Sequence, residues 1–182
     1  MVSYVASVRD GWGRWPLRHH AVLFFVLASL TRLLLLLSTG LEGVPLSLWP
    51  GLIARGLVFD VLVLPWLLAP ALIGQALMPV AWRSGRWGAA LRLLLFWFLA
   101  CVLLFLSLSE WTFWQEFASR LNFIAVDYLI YTHEVIGNIR ESYPVGGLLA
   151  GVGLLALVLT VWLRRPLMAA PGASPQGRQR LL

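Results

Sequence analysis

The sequence predicts an all-α, multi-pass membrane helical bundle: four transmembrane helices plus one external amphipathic helix. Three observations carry this. The chain is 60% hydrophobic and only 12% charged, with a mean hydropathy of +0.82, so it has too few charges to clothe a soluble surface. Several apolar runs approach or exceed the roughly 20 residues that cross a bilayer as a helix. The Leu-rich runs do not alternate in polarity, as the strands of a membrane barrel would.

Residues 1–19 hold Arg9, Arg14 and Arg18 with Trp12 and Trp15, a basic segment at the start of the chain. A basic start before an apolar run also opens a signal peptide. Here the run is long and "STGLEG" is a poor cleavage site, so the segment reads as cytoplasmic. The first span covers about residues 20–39 and is broken by "STGLEGVPLSLWPG". The second covers about 52–79 and is interrupted by Pro65 and Pro70; neighbours can satisfy the carbonyls that such kinks free. A short basic loop, "AWRSGRWG", leads to a third span at about 89–109. Residues 110–144 form an external segment, and the fourth span covers about 145–163, stopped by Arg164, Arg165 and Pro166. Residues 165–182 end in "AAPGASPQGRQRLL", a Pro/Gly-rich, linker-like tail. The membrane domain is therefore 20–164. Cys101 is the single cysteine, which excludes an internal disulfide and a cysteine zinc site.

The net charge of +6 comes from arginine alone. Arginines cluster at the ends of apolar runs, so membrane orientation explains them and nucleic acid is not an expected partner. Arg9, Arg14 and Arg18 precede span one; Arg83, Arg86 and Arg92 are grouped between spans two and three; Arg164, Arg165, Arg178 and Arg180 follow span four. The opposite side holds Glu42 and the acid-rich stretch 113–144. Both termini are thus expected in the cytoplasm and the acidic stretch outside, in a bacterial cytoplasmic membrane. Trp49, Trp111 and Trp114 fall near the outer boundary and Trp82, Trp87 and Trp162 near the inner one, as an aromatic belt would.

Three charges fall inside spans: Arg32, Arg55 and Asp60. Charge at depth is costly and is usually paired or functional. Arg32 lies roughly 10 Å inside the outer end of span one, and Asp60 roughly 12 Å inside the outer end of span two. The depths match, so an Arg32–Asp60 ion pair is expected, either a buried clamp or a polar site opening outward. Arg55 is near enough to the interface to snorkel and is a candidate contact for lipid headgroups.

From Asn122 onward the external stretch has helical spacing. Asp127, Tyr131, Glu134, Asn138 and Glu141 recur at steps of four and three, on one face, with an apolar face adjoining. Asn122 can cap the start and Pro144 ends it, giving an amphipathic helix of about five turns. The preceding "WTFWQEF" reads as interfacial. His133 lies off the acidic stripe, and no HExxH, Walker loop, GxSxG or paired-cysteine motif appears. No catalytic, cofactor-binding or metal-ligating residue is assigned. The acidic stripe reads as a solvated face or as a docking face for another domain.

The run "EFASRLNFIAVDYLIYTHEVIGNIRESYP" resembles the external segment of lipoteichoic-acid-synthase-like phosphoglycerol transferases, in the alkaline phosphatase/sulfatase superfamily. The matching residues are Arg120, Asn122 to Leu129, Tyr131-Thr132, Glu134-Val135, Asn138-Ile139 and Ser142-Tyr143-Pro144. Leu121 departs from the pattern, where Phe is usual. The resemblance covers roughly 30 residues and implies five membrane spans followed by an external catalytic domain. That domain would use a divalent metal and a Thr nucleophile to move phosphoglycerol from a lipid to a glycan or glycolipid. The four spans here correspond to the membrane module alone, as a fragment, a truncated frame or one half of a split enzyme. No residue of this chain takes the nucleophile or metal role. The resemblance thus implies a membrane anchor without catalysis of its own, with membrane lipids and an external catalytic domain, in cis or in trans, as partners. A stand-alone interaction protein that binds another envelope enzyme is the alternative. A small transporter using Arg32 and Asp60 is a third, but only span two is broken, whereas transporters repeat broken spans around a midplane site.

Overall fold

The computed structural model describes residues 17–77, 85–122, 137 and 139–168. All regular structure among them is helical: α1 (Leu17–Gly43), a short 3-10 turn (Leu46–Leu48), α2 (Trp49–Leu77), α3 (Arg86–Phe117), α4 (Val145–Trp162) and α5 (Arg164–Met168). Helices α1 to α4 are each long and apolar enough to cross a membrane.

Helix α1 begins three residues before the expected span and keeps its apolar register to Gly40, where φ is 73° and the helix kinks. Glycine meets this positive φ without a Cβ penalty. The hydroxyls of Ser38 and Thr39 both donate to the Leu35 carbonyl at 2.8 Å, within the last regular turn. Trp49 Nε1 then donates to the Val44 carbonyl at 3.1 Å and closes the reversal into α2. Pro65 and Pro70 lie within α2 and do not divide it, in contrast to the interruption expected from sequence. Each proline removes one backbone donor but leaves the helical path open. The expected end of this span at 79 falls outside the described residues.

Helix α3 runs well past the expected boundary at Ser109. Its 32 residues correspond to about 48 Å, against a hydrocarbon core of about 30 Å. "WTFWQEF" continues this helix, since no Gly or Pro falls between Ser109 and Ala118. Ala118 adopts φ 48°, a left-handed conformation, and its N–H closes on the Trp114 carbonyl at 2.9 Å. Arg120 Nε donates to Glu110 Oε1, which ties the departing chain back to the helix. Asn122 lies outside any helix, with Nδ2 3.5 Å from Ser119 Oγ. The expected external helix falls mostly on 123–136 and 138, outside the described residues; 139–142 are helical and lead through Pro144 into α4.

The spans pack in the order α2, α1, α3, α4, with α3 at the centre. One stripe of α3 is buried: Gly88, Arg92, Phe96, Ala100 and Leu103, at steps of four and three. The His20 ring of α1 meets Phe96 edge-on at 5.2 Å. Trp97 Nε1 reaches the Gly153 carbonyl of α4 at 3.4 Å, and Ala156 of α4 is fully buried. Small residues at such contacts let backbones approach closely where lipid removes the usual hydrophobic drive. Most large apolar side chains face outward, and only 6% of the apolar window of α2 is buried. That is the surface a helix shows to lipid.

Arg92 corrects the sequence reading. It is not a loop charge between spans two and three but lies in the second turn of α3, 2% exposed. Its Nε donates to the Leu167 carbonyl at 2.9 Å and its Nη2 to the Met168 carbonyl at 3.1 Å. These belong to the last turn of α5, where helix carbonyls lack internal partners and the helix dipole is negative. The expected linker-like tail is therefore helical through Met168. A five-residue helix is not stable alone, and the Arg92 bonds hold this one to the bundle. Replacing Arg92 by Gln should raise hydrogen exchange of the 164–168 amides by roughly 10- to 100-fold, the loss of a charged hydrogen bond. Exchange mass spectrometry in detergent checks this, with the α3 amides beyond residue 100 unchanged.

Candidate functional site

The structure brings Arg32 and Asp60 together. Arg32 Nη2 donates to Asp60 Oδ2 at 2.8 Å, joining α1 to α2. Both residues are only 9% exposed, and Thr31 beside Arg32 is also buried. The matching depths arise because consecutive spans run in opposite directions from one short turn. A residue eight places before Gly40 then stands near one eleven places after Trp49.

Gly56 completes the contact, and the sequence reading passed over it. It sits one turn before Asp60 on the same face of α2, and the Arg32 guanidinium lies directly over its backbone. A Cβ built there would come within 2.6 Å of Arg32 Nη2 and would also overlap Nε and Cζ. The signal available in sequence was the four-residue step from Gly56 to Asp60. It acquires meaning only once the arginine is known to arrive from another helix. Arg32 Nε and Nη1 are buried without a hydrogen-bond partner among the described residues. Within the described residues the bond to Asp60 thus engages only one edge of the guanidinium.

Arg55, one residue before Gly56, points elsewhere and is exposed on α2. Of the expected acidic face, Glu141 is exposed on the helical turn 139–142 beside exposed Arg140. Asp127, Tyr131, Glu134 and Asn138 lie outside the described residues. Among the described residues no three His, Cys, Asp or Glu side chains converge as metal ligands would. An apolar crevice lined by Leu57, Val58, Val61 and Leu62 lies along the lipid-facing side of α2.

Removing either member of a buried pair strands the other charge, which costs about 3–5 kcal/mol in protein interiors. Arg32→Ala and Asp60→Ala should each destabilise the bundle on that scale. The swapped pair Arg32→Asp with Asp60→Arg should recover part of the loss, because Gly56 faces the wrong partner after the swap. A double-mutant cycle measured by unfolding in mixed micelles checks this, and additive losses would show that the two do not act as a pair.

Gly56→Ala, with both charges intact, should cost about 1–3 kcal/mol by overpacking, whereas Gly51→Ala, where a Cβ meets nothing within 4 Å, should be tolerated. The same unfolding assay separates the two.

Comparison with protein-family models, with curated proteins and with solved structures finds no match. Its sequence and architecture make this chain a multi-pass helical membrane protein.

Proposed function

We propose that this chain is the membrane anchor of a phosphoglycerol transferase of the lipoteichoic-acid-synthase type and acts as a platform for an external catalytic domain, without catalysis of its own. The observation that carries the reading is the run from Arg120 to Pro144, whose residues match the family's external segment at the positions given above. Its setting supports the reading. The run begins where α3 ends, joined to that helix by the Arg120–Glu110 ion pair, and it returns to the membrane at Pro144. A helix longer than the bilayer core would carry such a segment clear of the lipid and hold its root at a fixed height.

In this reading Asp127, Glu134 and Glu141 present carboxylates to basic groups on the catalytic domain. Charge-assisted hydrogen bonds from such groups would orient that domain over the membrane. The same face repels anionic headgroups, so its role is to hold a protein and not a lipid. Metal and nucleophile would come entirely from the partner domain. The arginine distribution supports termini on the cytoplasmic side, with the external segment opposite, and in this reading the membrane is a bacterial inner membrane.

Two measurements test the proposal. With Cys101 replaced, Ser142→Cys should react with an impermeant thiol reagent added to intact spheroplasts; reaction only after permeabilisation overturns the orientation. For the platform itself, vesicles carrying this chain with the segment outward should retain a soluble catalytic domain from a transferase of this family. Changing Asp127, Glu134 and Glu141 together to Asn, Gln and Gln should reduce retention by roughly tenfold or more, the loss of a few charge-assisted bonds. Retention no better than on empty vesicles sinks the anchor reading and leaves the chain as an interaction protein for some other envelope partner.

A further inference from the structure

The two ends of the bundle differ in charge among the described residues, and the basic end carries arginines from three helices. Among the described residues, Arg18, Arg86, Arg92, Arg164 and Arg165 belong to the helix ends on that side, with no Asp or Glu beside them in those turns. The opposite end mixes Arg120 and Arg140 with Glu110, Glu116 and Glu141. Among the described residues at the basic end, Arg18, Arg86, Arg164 and Arg165 are exposed, and none of them enters an ion pair with a described residue.

Two contacts tie together the three helices that carry these four side chains. His20, two residues after Arg18, packs on Phe96 of α3. Arg92, less than two turns after Arg86, bonds the carbonyls of Leu167 and Met168. Leu167, two residues after Arg165, is fully buried. The Arg86 guanidinium lies 5.1 Å from the centre of the Trp87 ring, and both side chains are exposed. This cation–π contact steadies a charge on an aromatic ring of the kind that sits at headgroup level. Trp162, 76% exposed, precedes Arg164 and Arg165 by two and three residues.

We propose that this surface is a binding site for anionic phospholipid headgroups, with Arg86 on one side and Arg164 and Arg165 on the other engaging the phosphate oxygens. The occupant follows from charge complementarity and position. The arginines pair with no described acid and stand beside exposed tryptophans, at the ends of apolar spans whose outer surfaces face acyl chains. A ligand here has to be anionic at the interface and apolar below it. Arg92 does not touch the lipid; it positions α5, so that Arg164 and Arg165 are presented as a fixed pair and not on a loose tail. The site is independent of the anchor reading, since it lies at the other end of the bundle and needs no catalytic domain.

The test uses the full chain in a neutral detergent, titrated with cardiolipin, with phosphatidylcholine and with inorganic pyrophosphate. Binding to the folded state raises the thermal midpoint with the logarithm of ligand concentration over Kd. Cardiolipin should raise it and remain bound in native mass spectrometry; phosphatidylcholine and pyrophosphate should do neither. The variant Arg86→Gln/Arg164→Gln/Arg165→Gln changes only exposed residues, and without lipid it should unfold at the wild-type temperature. Its apparent affinity for cardiolipin should fall about 100-fold, as expected for three interfacial charges. Arg120→Gln/Arg140→Gln at the opposite end should leave that affinity unchanged. The lysine variant at the three positions should keep most of it. Equal stabilisation by phosphatidylcholine, an equal effect of pyrophosphate, or the same loss in both arginine-to-glutamine variants would overturn the proposal.

Discussion

A helix surrounded by lipid gains little from hiding leucine against another helix, because acyl chains are as apolar as the leucine. What joins helices in this protein is the requirement that polar groups removed from water find partners inside the protein. The Arg32–Asp60 bond ties α1 to α2. The two Arg92 bonds tie α3 to α5, and the Trp97–Gly153 bond ties α3 to α4. The same rule works within single helices. Thr160 is buried in α4 and its hydroxyl donates to the Ala156 carbonyl at 2.7 Å, so it costs the interface nothing.

Helix α3 is the column on which the others rest. Its buried stripe places Phe96 and Ala100 against neighbours on both sides, while its other faces carry exposed Leu94, Phe98, Phe105 and Leu106. Bulk is needed where His20 leans on Phe96, and small residues where α4 crosses close. Helix α2, by contrast, touches the bundle mainly through α1. Its attachment therefore depends disproportionately on one ion pair and on the single missing side chain at Gly56 that lets the pair close.

Arg32 and Arg92, which both make inter-helix hydrogen bonds, solve opposite problems. Arg32 meets a carboxylate, so the net charge at depth is cancelled, while its Nε and Nη1 find no hydrogen-bond partner among the described residues. Arg92 meets the neutral carbonyls of Leu167 and Met168 at the end of a short helix, where a partial negative charge already exists. The first ties together two long spans. The second turns five residues after α4 into a fixed extension of the membrane domain and carries Arg164 and Arg165 with it.

The sequence by itself was enough for the class, the number of spans and the meeting of Arg32 with Asp60. Apolar length and charge depth are one-dimensional quantities, and antiparallel neighbours joined by a short turn convert equal depth into proximity. It also marked both ends of α4, through Pro144 and the Arg164–Arg165–Pro166 stop. It misjudged the end of α3, since helical propensity continued through an aromatic segment that hydropathy marks as leaving the membrane. It placed Arg92 among loop charges because depth near a span end cannot tell a snorkelling arginine from one turned inward. Which it is depends on the carbonyls of Leu167 and Met168, 75 and 76 residues away. Gly56 was silent for the same reason: a missing side chain acquires a role only when another helix brings a guanidinium to the space it leaves.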